Sequence, residues 1–198
     1  MKRLGLFALL VVAVLMIAGC GKAPDTKLAQ ATAALQAAEA AEAPQYAPDA
    51  WGRAKQAVDQ MKAERSAQDK KVGLFRNYGK VAALAGDALR LANQALADAD
   101  AKKKQLGSEV TATLAELGKS LESARNQLTK LSRIKRAVAA ALKSELSAAG
   151  KQLDQARTNL TAGAFDKAMA VASQAREAIT KVLKAIEKAT GAPPSRKR

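Results

Sequence analysis

The chain contains one cysteine, Cys20, and no histidine. These two facts decide most of the chemistry open to it. Without an imidazole, Ser-His-Asp triads, Cys-His pairs and His-ligated metal sites are excluded. Cys20 is the one strong nucleophile, and it directly follows Ile17-Ala18-Gly19. Small side chains let an extended backbone enter a peptidase cleft, and a thiol is the group that takes up an acyl or alkyl substituent. These residue types suit modification at Cys20 rather than turnover. Acidic pairs exist, Glu39/Glu42 and Asp98/Asp100, but at ordinary solvent-face spacing, with no base or nucleophile to act with them. No Gly-rich phosphate loop is present. The expectation is a non-enzyme with no metal, no cofactor and no small-molecule substrate.

The second grouping is electrostatic. Between Ser123 and Ser144 lie Arg125, Lys130, Arg133, Lys135, Arg136 and Lys143, without one acid. Lys102-Lys103-Lys104 and Arg196-Lys197-Arg198 add to a formal net charge of +15. The plain explanation is a solvated helix face that keeps an alanine-rich bundle in solution. The sharper one is contact with a polyanion, either anionic lipid headgroups or peptidoglycan carboxylates. Tyr46 and Trp51 can line a groove, but packing around the neighbouring prolines is the expected role.

The segment before Cys20 argues for the envelope. Lys2 and Arg3 precede an apolar run from Leu4 to Ile17, which is the layout of a secretory signal. Leu4 to Ala18 is shorter than the roughly 20 residues a spanning helix needs. Ile17-Ala18-Gly19-Cys20 resembles the bacterial lipobox. The resemblance implies a diacylglyceryl group on Cys20, removal of residues 1–19, and anchoring by two or three acyl chains, which hold a protein on a membrane where one does not. Gly21 follows, where Asp would mark inner-membrane retention in enteric bacteria. The resemblance thus implies the outer membrane, facing the periplasm, with the inner membrane as the alternative. Nucleic acid, the first thought for a basic chain, is not expected there.

What positions these groups must be helical. Alanine, the best helix former and the smallest core residue, occurs 48 times, and aromatics are 3% of the chain. The β-branched and aromatic clusters that build sheets are scarce. The fold class expected is all-α: an elongated antiparallel helical bundle, or helical hairpins, with coiled-coil-like heptad seams.

Apolar residues three and four apart mark the helical faces. After a tether at 20–27, the first carries Leu28, Ala31, Leu35 and Ala38 and must stop at Ala43, before Pro44. Pro44 to Pro48 reads as a turn, with Asp49 as N-cap of the next helix. That helix carries Ala50, Ala54, Ala57 and Met61, flanked by Trp51 and Val58, and Gly73 ends it. The third seam is Tyr78, Val81, Ala85, Ala88, Ala92, Ala95 and Ala99. Lys102 to Lys104 and Gly107 suggest a break.

The next seam runs Leu114, Leu117, Leu121, Ala124, Leu128, Leu131, Lys135, Val138 and Leu142. It continues to Leu160 after a stutter at 138, 142 and 146; one helix and two both remain open. Gly118 and Gly150 read as weak points. Thr161 to Ala164 is a turn, and the last helix buries Phe165, Ala168, Ala172, Ala175, Ile179, Val182, Ile186 and Ala189. Gly191 caps it, and 192–198 is a basic, disordered tail. The division expected is a hairpin domain at 28–106 and another at 107–191. An aromatic followed by x-Lys opens one helix in each, at Tyr78-Gly79-Lys80 and Phe165-Asp166-Lys167.

Ala43-Pro44-Gln45-Tyr46-Ala47-Pro48, Trp51, Ala54, Tyr78 and Ala85 together resemble a family of bacterial envelope lipoproteins with an alanine-rich helical domain. The resemblance covers Leu28 to Ala101, and the linker from Ser66 to Arg76 is longer than in compact members. It implies a non-enzymatic, lipid-anchored helical protein, in a family sometimes found near peptidoglycan-binding modules. The function expected is a structural or adaptor lipoprotein that binds an envelope protein through its helix faces. The alternative is a tether to peptidoglycan or anionic lipid through the basic face.

Overall fold

Where alanine recurs every third or fourth position, a helix offers a flat stripe and its neighbour can approach closely. The computed structural model describes residues 23–132 and 136–190, and these stripes face inward. Six α-helices are formed among the described residues: α1 (Asp25–Ala40), α2 (Ala43–Tyr46), α3 (Pro48–Asp69), α4 (Gly79–Ser132), α5 (Arg136–Thr161) and α6 (Phe165–Thr190). A 3-10 turn, Gly73–Phe75, separates α3 from α4, and no strand occurs among the described residues. The architecture is an all-α helical bundle. No described helix is long and apolar enough to cross a membrane. The chain divides into two compact units, one ending at Lys102 and one beginning at Lys103. α4 gives its first half to one and its second half to the other.

In the first unit, α1, α3 and the start of α4 pack together. Ala38, Ala54, Ala92, Ala95 and Ala99 share one cluster with Trp51 and Tyr46 at its border. Ala31, Val58, Met61, Ala85 and Ala88 form a second. Cross-pairs fix the directions: Arg65 of α3 bridges to Asp25 of α1, and Lys80 of α4 to Glu64 of α3 at 2.8 Å. Each links residues far apart in sequence across a turn, so successive helices run antiparallel. Alanine predominates in this core, with Val58, Met61 and Val81 as its larger fully buried side chains.

The second unit is built on larger residues. Val110, Leu114, Leu117, Leu121, Leu128 and Leu131 of α4 meet Leu142, Leu146 and Leu153 of α5 and Ile179, Val182 and Ile186 of α6 in one cluster. Lys181 of α6 pairs with Glu145 of α5 at 3.1 Å. The α5–α6 turn closes as a Schellman motif. Gly163 is at φ +73, its N–H reaches Leu160 O at 3.0 Å, and the Ala164 N–H reaches Asn159 O at 2.9 Å.

Several expectations are corrected. α1 begins at Asp25, inside the expected tether. Pro44 does not sit in an open turn: it occupies the first turn of the short α2, where its missing N–H has no cost. α3 starts at Pro48 with Ala47 as its cap and no side-chain cap bond. Asp49 therefore lies in the first turn, favourable to the helix dipole but not capping. α3 ends at Asp69, before Gly73. Lys102 to Lys104 and Gly107 do not break α4: lysine is a good helix former, and Gly107 lies under the Phe165 ring, 3.3 Å from where a Cβ would be. In α5, Ala139 takes the buried position and Val138 is 43% exposed, so the seam shifts by one residue between α4 and α5. Gly19, Cys20, the signal at 1–19, Arg133, Lys135, Gly191 and the tail at 192–198 lie outside the described residues.

Candidate functional site

The basic face predicted on one stretch of sequence is split between two antiparallel helices. Arg125 comes from the C-terminal half of α4, Arg136 and Lys143 from the first turns of α5. The three converge on one open cavity of about 660 Å³, lined also by Leu128, Thr129, Ala139, Leu146 and Ser147. Leu128, Ala139 and Leu146 are buried and make its floor. Among the described residues, Arg125, Arg136 and Lys143 have no salt-bridge partner, and no acid lines the cavity. Lys130 is exposed on the last turns of α4 but does not join this lining.

Arg125 is accommodated by Gly150, one of two glycines that the sequence marks as weak points. Its Nη2 lies 3.0 Å from where a Cβ on Gly150 would stand, so the guanidinium crosses onto α5 over a position with no side chain. Gly118 of α4 does the same for Arg157 of α5, whose Nη2 is 3.8 Å from a Cβ there. Between them lies a smaller cavity of about 300 Å³, lined by Gly118, Leu121, Glu122, Arg125, Gly150 and Arg157 among others. Here the charge is balanced, since Arg157 pairs with Asp154 at 2.9 Å. Arg157 is thus a paired cation, Arg125 lines both cavities, and Arg136 and Lys143 line the larger one alone. An apolar floor with a cationic rim suits an anion bearing an apolar or sugar-like body.

The first unit carries a different network that the sequence does not announce. The Tyr78 hydroxyl donates to Asp69 Oδ1 at 2.6 Å, and Arg65 Nε donates to Asp69 Oδ2 at 2.8 Å. Arg65 also stacks over the Tyr78 ring at 5.8 Å. The Tyr78 hydrogen bond, and Arg65 after it, hold the Asp69 carboxyl below its ordinary range. The same bond, with desolvation, pushes the Tyr78 phenol up. Lys80 and Gln68 lower Glu64. Arg65 is raised by Asp25 and Asp69. The acidic pairs Glu39/Glu42 and Asp98/Asp100 are not gathered into any metal-sized cluster among the described residues.

Tyr46 and Trp51 border the alanine cluster beside α2, the packing role expected of them. The tandem aromatics Tyr78 and Phe165 do unlike things: one ties α3 to α4 by its hydroxyl, the other covers Gly107. The feature sequence reasoning passed over is the turn between α3 and α4. Val72, Leu74 and Phe75 stand exposed there, and an apolar group between Lys71 and Arg76 was its visible sign. Compared with family models, with curated proteins and with solved structures, the chain matches none.

Proposed function

We propose that this is a lipid-anchored envelope protein of the bacterial periplasm whose second unit binds an anionic polymer, with peptidoglycan carboxylates as the ligand class. The observation that carries the reading is the convergence of Arg125, Arg136 and Lys143 on one open, apolar-floored cavity without an ion-pair partner among the described residues. Ordinary solubilising charges scatter over a surface and pair with neighbours; here three are directed at the same space. The anchor at Cys20, which rests on the lipobox, the outer-membrane site, which rests on Gly21 after it, and the resemblance to envelope lipoproteins, which rests on Ala43 to Ala85, belong to the same proposal. No catalytic step is assigned.

The adaptor reading, a protein partner held on a helix face, takes second place. It asks for a seam left without a neighbour, and the seams from Val81 to Ala99 and from Ala168 to Ile186 are filled from within the chain. The test is co-sedimentation of residues 22–198, which hold every described helix, with purified sacculi at low and high salt. Salt-sensitive pelleting that is lost in Arg125→Gln/Arg136→Gln/Lys143→Gln is expected. No pelleting at any salt, or pelleting indifferent to the triple substitution, would send the search to protein partners by crosslinking in cells.

A further inference from the structure

Of the four large apolar side chains exposed among the described residues, three stand on one turn: Val72 at 72%, Leu74 at 94% and Phe75 at 75%. In a chain with only three phenylalanines, displaying one in water is conspicuous. Isolated exposed apolar residues are ordinary; a contiguous group is a contact surface. Its flanks are all basic, Lys70 and Lys71 on one side and Arg76 on the other, and all three are exposed. The nearest acid, Asp69, is already engaged by Tyr78 and Arg65.

The turn is also built to hold this tip out. Arg76 folds back, donating from Nε to Lys71 O at 2.9 Å and from Nη2 to Asp69 O at 3.0 Å. Phe75 N–H donates to Val72 O at 2.8 Å and closes the 3-10 turn. Gln68, the one buried polar side chain among the described residues, accepts from Asn77 N–H at 3.0 Å and donates to Glu64 at 2.7 Å. Asn77 Oδ1 in turn accepts the Gly79 N–H at 2.9 Å and starts α4. A loop that merely spans two helices needs none of this; here four side chains, Arg76, Gln68, Glu64 and Asn77, brace a turn whose tip stands exposed.

We infer that Val72, Leu74 and Phe75 form a finger that inserts into the interface of an anionic lipid bilayer, with Lys70, Lys71 and Arg76 on the headgroup phosphates. Charge decides between occupants. A second copy of the same finger would bring like charges together, whereas an anionic bilayer offers an apolar layer under a negative surface and matches both halves of the motif. The finger is too short to span and is suited to the depth of the headgroups. The inference stands on the first unit alone and does not depend on the Cys20 anchor or on the cavity of the second unit.

Residues 22–198 contain no cysteine, so Leu74→Cys gives a unique site for an environment-sensitive fluorophore. With vesicles of phosphatidylcholine and phosphatidylglycerol, the emission should shift to the blue; with phosphatidylcholine alone it should not. Gln127→Cys, labelled in the same way, serves as the control and should not shift. In flotation with unlabelled protein, Leu74→Asp/Phe75→Asp should cut vesicle binding at least tenfold with an unchanged helical circular dichroism spectrum. Arg125→Gln/Arg136→Gln/Lys143→Gln should leave the Leu74→Cys shift in place, which separates this idea from the proposed function. Absence of a shift on anionic vesicles, a shift of equal size on neutral ones, or full binding by the double aspartate variant would overturn it.

Discussion

The Phe165 ring lies against Gly107, with Cε1 3.3 Å from the position a Cβ would occupy. A residue whose type suggests a helix break is thus the seat for the first residue of α6. Any side chain larger than methyl must push the ring away from α4. Gly107→Val is expected to lose about 1–3 kcal/mol, as overpacked sites do. Gly107→Ala should be close to neutral, because about 1 kcal/mol of helix propensity opposes a contact a few tenths of an ångström too tight. Urea unfolding of both, alone and with Phe165→Ala, checks this. The double variant with valine should be less destabilised than the sum of its parts, and simple additivity would show that the ring and the glycine are not coupled.

The same contrast explains what the sequence could and could not disclose. Tyr78 to Ala99 and Phe165 to Ile186 were legible because burial follows the spacing of three and four, which depends on helix geometry alone. Val138 failed because a period carried across a helix end loses its phase: α5 starts anew, and Ala139 faces the core. Lys102 to Lys104 do not end a helix, because long charged side chains on an exposed helix face only need solvent. The cavity residues Arg125, Arg136 and Lys143 could be named from composition. That they share one space could not, since it follows from α4 and α5 running antiparallel and from Gly150 making room for Arg125.

Overpacking should also separate the two units by the size of their side chains. Ala92 is fully buried between helices whose approach is set by alanine. Ala92→Leu is expected to cost about 1–3 kcal/mol. Leu153, 2% exposed in the second unit, should lose about 2–5 kcal/mol as Leu153→Ala. A stabilising Ala92→Leu would mean that the helices of the first unit are not closely packed.

Gly163, at φ +73 in the Schellman turn, adopts a conformation that a Cβ disfavours by roughly 1–2 kcal/mol. Gly163→Ala should lower stability by that amount and Gly163→Asn by less. The measurement is thermal unfolding followed at 222 nm, and indifference to both substitutions would place the turn in another conformation in solution.

The hydrogen bond from Tyr78 to Asp69 makes a pH prediction with two limbs. The folded pKa of Asp69 is below its ordinary value near 3.8, so its contribution is present above that value and is lost as pH falls through the lowered one. The folded pKa of Tyr78 is above its ordinary value near 10.0, so its contribution is complete below 10.0 and is lost as pH rises through the raised one. Stability should therefore be level near neutrality and decline at both ends. Tyr78→Phe should flatten the alkaline limb most, and Asp69→Asn both. An alkaline decline of equal size in Tyr78→Phe would assign it to other groups.

The cavity between α4 and α5 makes the last prediction, and the glycines sharpen it. A cation and an anion about 4 Å apart attract by about 1 kcal/mol in water, so removing three at one site should weaken polyanion binding about 100-fold. Lys130→Gln, outside the lining, should have a much smaller effect, which a diffuse solubilising face would not reproduce. Gly150→Ala places a methyl 3.0 Å from Arg125 Nη2 and must move the guanidinium while leaving the charge unchanged. If position matters, Gly150→Ala should weaken binding to sacculi at constant net charge while stability holds or rises with helix propensity. If only net charge matters, Gly150→Ala should bind as the parent does, and Lys130→Gln should cost as much as any one of the three. Pelleting isotherms of the five single variants at two salt concentrations distinguish these outcomes. The second pattern would reduce the convergence of Arg125, Arg136 and Lys143 to a consequence of helix packing.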